Sequence, residues 1–171
     1  SSEFVNNLGG AIYLANDSKV DISDTLFKAN SDAEEGGAIY VGSGEPIDIT
    51  RCDFLSNSSI TNGGAITLNR NATLINCTFG GNETAYNGGA VEAFSEGTIL
   101  SVGFDNCSFG GNSANLGGAI YMQEFNANFY QCYIIGNTAL DGGGAYFVTG
   151  SKDPEDNNDD VINGVMFANG I

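Results

Sequence analysis

The sequence predicts an all-β chain, a right-handed parallel β-helix (solenoid) of about six coils with three short strands in each. Three observations carry that prediction. The tripeptide Gly-Gly-Ala recurs, beginning at Gly9, Gly36, Gly63, Gly88, Gly117 and Gly143, at intervals of 27, 27, 25, 29 and 26 residues. A second motif keeps phase with it: Phe27-x-x-Asn30, Phe54-x-x-Asn57, Phe79-x-x-Asn82, Phe109-x-x-Asn112, and Ile134-x-x-Asn137 with Ile in the aromatic place. Around both motifs apolar residues alternate with a period of two, which is the signature of strands; no segment has the i, i+3, i+4, i+7 spacing that a helical repeat needs.

The first strand of each coil follows Gly-Gly-Ala. Ile12 and Leu14, Ile39 and Val41, Ile66 and Leu68, Val91 and Ala93, and Ile120 and Met122 share one face, which is expected to point inward. Tyr13, Tyr40, Thr67, Glu92 and Tyr121 then point outward. The second strand carries the pairs Val20/Ile22, Ile47/Ile49, Ala72/Leu74, Val102/Phe104 and Ala127/Phe129. The third holds the Phe of the second motif, and two residues before it lie Thr25, Cys52, Cys77, Cys107, Cys132 and Val165, so that all four cysteines occupy one repeat position. A short polar turn leads from the Asn to the next Gly-Gly, where glycine suits a bend that needs positive φ. The ends depart from the pattern. Phe4-Val5-Asn6-Asn7 lies only two residues before Gly9, and Phe167-Ala168-Asn169 has its Asn one place early, which suggests truncated or capping coils.

Composition bounds the function. The 171 residues are 42% hydrophobic, enough for a core, with five Lys plus Arg against 21 Asp plus Glu and a net charge of −16. That charge repels phosphate backbones and anionic membranes, so nucleic acid is not expected as a partner. No apolar run is long enough to span a bilayer. The whole chain, 1–171, reads as one segment of six repeats within a longer array, with residues 150–160 as an acidic loop insertion.

The paired motifs resemble the GGA(I/L/V) and FxxN repeats of the chlamydial polymorphic outer-membrane proteins, which are autotransported adhesins. The resemblance covers Gly9 to about Asn137 and implies a right-handed β-helix at the outside of a cell, acting as a structural or adhesive module of a surface or fibre-forming protein. The alternative is a carbohydrate-binding or polysaccharide-degrading β-helix, using the outward Tyr row and the turn loops. Five cations in the chain and no carboxylate pair on the outward row argue against turnover.

Each candidate residue has a structural reading. Asn30, Asn57, Asn82, Asn112 and Asn137 should stack as an amide ladder that satisfies buried bend groups. Cys52, Cys77, Cys107 and Cys132 should stack as buried free thiols, with disulfides Cys52–Cys77 and Cys107–Cys132 as the competing arrangement. Zinc is not expected, because the chain has no His and four thiols in a line make no tetrahedron. Six Asn-x-Ser/Thr sequons occur; Asn57 and Asn82 belong to the ladder, which leaves Asn16, Asn71, Asn76 and Asn106 as possible N-glycosylation sites. Asp153, Glu155, Asp156, Asp159 and Asp160 could hold calcium, although a solvated loop is the simpler reading, and no other cofactor is expected. Partners would be further coils of the same parent chain, copies of the chain stacked end to end, or host and matrix molecules or glycans.

Overall fold

The computed structural model describes residues 1–149, 162–163 and 166–168. All strand pairings in it are parallel, and strands from successive coils stack into four sheets that run the length of the solenoid. The sheet that follows Gly-Gly-Ala contains Ile12–Leu14, Ile39–Val41, Ile66–Leu68, Val91–Phe94, Ile120–Gln123 and Tyr146–Thr149. The second contains Ile22–Ser23, Ile47–Thr50, Ala72–Ile75, Leu100–Asp105, Phe125–Tyr130 and Ile162–Asn163. The third, which bears the Phe of each motif, runs through Ser2–Val5, Thr25–Lys28, Asp53–Leu55, Thr78–Gly80, Ser108–Gly110, Tyr133–Ile135 and Met166–Ala168.

The fourth sheet, Ala33–Glu35, Ser58–Asn62, Glu83–Thr84, Ser113–Leu116 and Thr138–Gly142, occupies what the sequence suggests is a polar turn. A coil therefore has four strands where three are legible. The fourth is silent in hydropathy because its side chains are mostly small, polar and partly exposed, so it shows no apolar alternation. The same sheet explains the irregular first coil. Phe4 stacks on Phe27 at 5.2 Å, and Asn7 bonds Asn30, so Phe4-x-x-Asn7 is in register. Only the fourth strand is missing there, replaced by a single bridge from Leu8 to Ser31.

Register is strict because one face of every strand is buried, and a slip by one residue would turn the apolar set outward. Ile12, Ile39, Ile66, Val91 and Ile120 form one in-register row, and Ile49, Leu74, Phe104 and Phe129 another. Phe27, Phe54, Phe79 and Phe109 are fully buried and stacked at 4.9, 4.8 and 4.7 Å, close to the spacing of neighbouring strands. Burial of these rings and of the aliphatic rows is the main favourable term holding coil to coil.

The Gly-Gly corner explains its own sequence. At Gly36, with φ of +62°, a side chain would strike the Ile39 carbonyl; at Gly37 it would strike the Gly64 and Ser58 carbonyls of the next coil. The following three repeats repeat this geometry, so the first glycine is needed for the bend and the second for the close approach of neighbouring coils.

Candidate functional site

Among the described residues, three stacked columns and a cleft hold the candidate chemistry. The first column is the asparagine ladder. Each Asn of the second motif follows a residue in the left-handed region, Ala29, Ser56, Gly81, Gly111 or Gly136, which turns the chain sharply and directs the amide inward. Asn57 Nδ2 donates to Phe27 O of the preceding coil (3.0 Å) and to Asn82 Oδ1 of the next (3.0 Å), while its Oδ1 accepts from Asn30 N (3.1 Å) and Asn30 Nδ2 (2.9 Å). Asn82 and Asn112 repeat this set at 2.8–3.1 Å, and Asn137 continues it by accepting from Asn112 and donating to Phe109 O. Both amide hydrogens and both lone pairs of each internal rung are used, so a buried polar column costs little desolvation.

The cysteines form the second column, all four free and buried. Each lies two residues before the aromatic place of its motif, Phe54, Phe79, Phe109 or Ile134, and follows another left-handed residue, Arg51, Asn76, Asn106 or Gln131. Each thiol is a second donor to the carbonyl two residues back, which already accepts an N–H of the preceding coil: Cys77 Sγ donates to Ile75 O, Cys107 Sγ to Asp105 O and Cys132 Sγ to Tyr130 O, at 3.4–3.5 Å, beside Arg51 N, Asn76 N and Asn106 N at 2.8–2.9 Å. In the first coil Thr25 Oγ1 does the same for Ser23 O at 2.7 Å, which is why threonine can stand in this position. Hydrogen bonding with the Cys77 sulfur and then burial push the Cys52 thiol up; contact with Cys132 and Cys77 and then burial do the same to Cys107. Neither is a reactive thiolate. Among the described residues no cluster of His, Cys, Asp and Glu is placed to hold a metal ion.

The third column is the outward row of the Gly-Gly-Ala sheet. Tyr13 is 73% exposed and stacks on half-buried Tyr40 at 4.8 Å. Further along, the expected outward surface is absent: Thr67 is buried, Glu92 is only 4% exposed and Tyr121 only 7%. The Gly-Gly bend is concave on its outer side, so the last residue of the fourth sheet folds over the row; Thr67 Oγ1 donates to Asn62 O at 3.3 Å. Burial, with the charge of Glu35 adding to it and the Thr67 contact opposing it, pushes the Glu92 carboxyl up to about 8. Glu92 is therefore mainly protonated at neutral pH. This buried acid has no hydropathy signal, because parity places it outward and only the concavity of the corner buries it.

The cleft lies where the first sheet turns into the second. Residues paired in register fix the length of this corner: five residues (42–46) between Val41 and Ile47, three (69–71) between Leu68 and Ala72, eight (94–101) between Ala93 and Val102, and four (123–126) between Met122 and Ala127. The shortest corner is thus recessed between two longer ones, and a cleft of about 420 Å³ opens over it, with Asn69 and Arg70 in its floor and Ser43, Phe94 and Glu96 in its walls. The repeat intervals of 25 and 29 residues record this short–long alternation and are the sequence signal for the cleft. Arg70, only 1% exposed, is the largest fully buried side chain among the described residues and was not singled out by sequence reasoning. Its guanidinium gathers loop carbonyls from two preceding coils: Nε donates to Gly42 O, Nη1 to Ser18 O (2.5 Å) and Glu45 O (3.2 Å), and Nη2 to Ala15 O (3.3 Å) and Ser43 O (2.9 Å). Asn69 Nδ2 donates to Tyr40 Oη at 3.0 Å, while its Oδ1 is buried without a partner.

The sequence-predicted glycan sites fall on the outer surface of corners. Asn16 and Asn76 are exposed, and Asn71 is half-buried with its Oδ1 accepting from Ser101 N at 2.7 Å. Asn106 is exposed, but its Nδ2 donates to Asn76 Oδ1 at 2.6 Å. The calcium candidates Asp153, Glu155, Asp156, Asp159 and Asp160 lie outside the described residues, as do Val165 and Asn169.

A family model described as a right-handed β-helix region matches residues 1–161. The chain belongs to that family. No curated protein and no solved structure matches it. Membership in the right-handed β-helix family agrees with the stacked parallel sheets, and no helix among the described residues is long and apolar enough to cross a membrane.

Proposed function

We propose that this β-helix is an extracellular structural or adhesive module, a stiff segment of a cell-surface or fibre-forming protein of the GGA(I/L/V)/FxxN type. The observation that carries this reading is the unbroken pair of inner columns: phenylalanine rings from Phe4 to Phe109 and amides from Asn7 to Asn137 pass through successive coils without a gap. Such columns make bending one coil against the next costly, which suits a spacer that presents its lateral faces. On this reading it has no catalytic turnover and needs no cofactor, with calcium on the acidic segment as an optional ligand. Its partners are further coils of its parent, copies of itself, or host, matrix or glycan molecules, and nucleic acid is disfavoured by the charge of −16.

Surface location is the decisive test. Brief protease treatment of intact source cells should release peptides of residues 1–149, with a cytoplasmic marker retained. Recovery of those peptides only after lysis would refute the proposal. Release of reducing ends from a panel of polysaccharides by the purified chain, lost in Glu92→Gln, would favour the degrading alternative.

A further inference from the structure

We infer that a notch in the fourth sheet, at the first coil, is a docking site for a basic, extended peptide segment of a partner protein, a role that goes beyond the rod reading and does not depend on it. In the next five coils a strand of the fourth sheet separates the Asn from Gly-Gly, whereas between Asn7 and Gly9 only Leu8 remains. Ala33–Glu35 is therefore an end strand of its sheet, paired with Ser58–Asn62 on one edge and with no strand on the other. The first coil bonds Ser31 through Asn7 O, Gly9 N and Gly10 N, and its next bonds are from Ala11 N and Ile12 N to Ala38 O. Among the described residues no backbone bond joins it to residues 32–37. Gly10 runs close to Ala33, where a Cβ would come within 3.3 Å of the Ala33 Cβ, so the first coil cuts across the inside of the bend. Asp32, Glu34 and Glu35 are left on an overhanging rim. The notch follows from residues 7–10 themselves and not from where the chain begins.

A free strand edge offers alternate N–H and C=O groups to any extended chain, and its surroundings select which one. Asp32 and Glu34 are exposed and Glu35 is half-buried, and none of them forms an ion pair among the described residues. Burial and then the charge of Glu35 push the Tyr40 hydroxyl up, which sets that carboxylate beside the Tyr13–Tyr40 stack. Lysine and arginine side chains match both features, the carboxylates by charge and the open face of Tyr13 by cation–π attraction. Acidic residues alone would protect an edge from pairing. Leu8, 76% exposed and bridged to Ser31, and Tyr13 do the opposite, because both gain from being covered. The chain's own acidic segment 150–160 and a second copy of the chain carry the same sign of charge as the rim and are repelled by it.

Fluorescence polarisation would follow a labelled peptide of about six residues, alternating Val and Lys, against the full chain. A Val–Glu counterpart and a Val–Lys version N-methylated at alternate residues serve as comparators. The Val–Lys peptide should bind, with amide shifts in nitrogen-15 spectra confined to residues 8–13 and 31–40. The Val–Glu peptide should not bind, and N-methylation should weaken binding by about tenfold, which separates strand addition from attraction to the net charge of −16. Restoring the missing strand, by copying residues 58–61 between Asn7 and Leu8, should abolish binding. Glu34→Gln and Tyr13→Ala should each weaken it about threefold, so the test survives if the insertion folds poorly. Binding unchanged by N-methylation or by the folded insertion variant, binding of the Val–Glu peptide, or no shift at these amides with about 1 mM Val–Lys peptide would each overturn the inference. Dimerisation of the free chain that the insertion abolishes would assign the notch to a second copy and overturn it as well. Every readout is made on the isolated chain, so the result is independent of where the protein resides.

Discussion

Two corners of the coil have opposite habits. Among the described residues the bend at the asparagine has one build, Phe (Ile134 in one coil), one residue, a left-handed residue and then Asn, and its amides stack into a column. The bend after the Gly-Gly-Ala strand runs through five, three, eight and four residues in successive coils, and there a buried arginine gathers the loop carbonyls. The contrast separates two tasks. A corner that must pass hydrogen bonds to the next coil cannot change length, whereas one that does not can vary and so create a recess.

The largest expected effect breaks the invariant corner. Asn82→Ala removes four hydrogen bonds and leaves Asn57 N buried without a partner, a loss of about 3–5 kcal/mol. A denaturant melt of the full chain should show it as a lower midpoint. Arg70→Leu tests the variable corner in the same melt. It removes the arginine's bonds to Gly42 O, Ser18 O and Glu45 O, but Ala15 O and Ser43 O keep backbone donors in Ser18 N (3.2 Å) and Asp17 N (2.8 Å), so about 2–3 kcal/mol is expected. A loss above that of Asn82→Ala would reverse the comparison.

Glu92 gives a pH-dependent contrast. Its folded pKa, about 8, lies above the 4.5 of the free side chain, so between these values the folded chain holds a proton that the unfolded chain has released. This group's contribution is therefore fully present below about pH 4.5 and declines as pH rises toward 8, by about 1 kcal/mol per unit. Glu92→Gln should flatten that slope in thermal melts from pH 5 to 8, and an unchanged slope would refute the assignment.

Smaller effects follow. Cys77→Ser should cost about 1 kcal/mol or less, because Thr25 shows that a hydroxyl serves the same carbonyl. Cys77→Ala should cost more by the same measure. Smallest of all, two residues inserted after Gly97, lengthening an eight-residue corner, should cost about 0.2 kcal/mol, the loop-closure increment. The same insertion between Phe79 and Asn82 should unfold the adjoining coils, as followed by circular dichroism.

The asymmetry between the corners also explains what could be read in the sequence. Gly-Gly-Ala, the Phe and the Asn are legible because each is forced by a steric or hydrogen-bonding demand repeated in every coil. The fourth strand is hidden because Ser58–Asn62 and its neighbours bury little apolar surface. Burial of Thr67, Glu92 and Tyr121 is hidden for another reason. Period-2 parity assigns a face correctly but cannot tell a flat face from the inside of a concave bend. Arg70 escaped notice because its partners are main-chain oxygens 25 to 55 residues away, which no local pattern encodes.

The asparagine column has an electrical sense. Every rung accepts from the coil on its N-terminal side, so the side-chain carbonyls from Asn30 to Asn137 all point one way. Aligned amide dipoles add head to tail, as peptide units do in a helix, and each polarises the next. The rod is thus a vector as well as a spacer. A coil stacked on its C-terminal side must offer an acceptor at the ladder position, and one on its N-terminal side must offer donors. A segment entering with its strands reversed would set carbonyl against carbonyl. The ladder therefore selects the orientation of any neighbouring coil as well as its register.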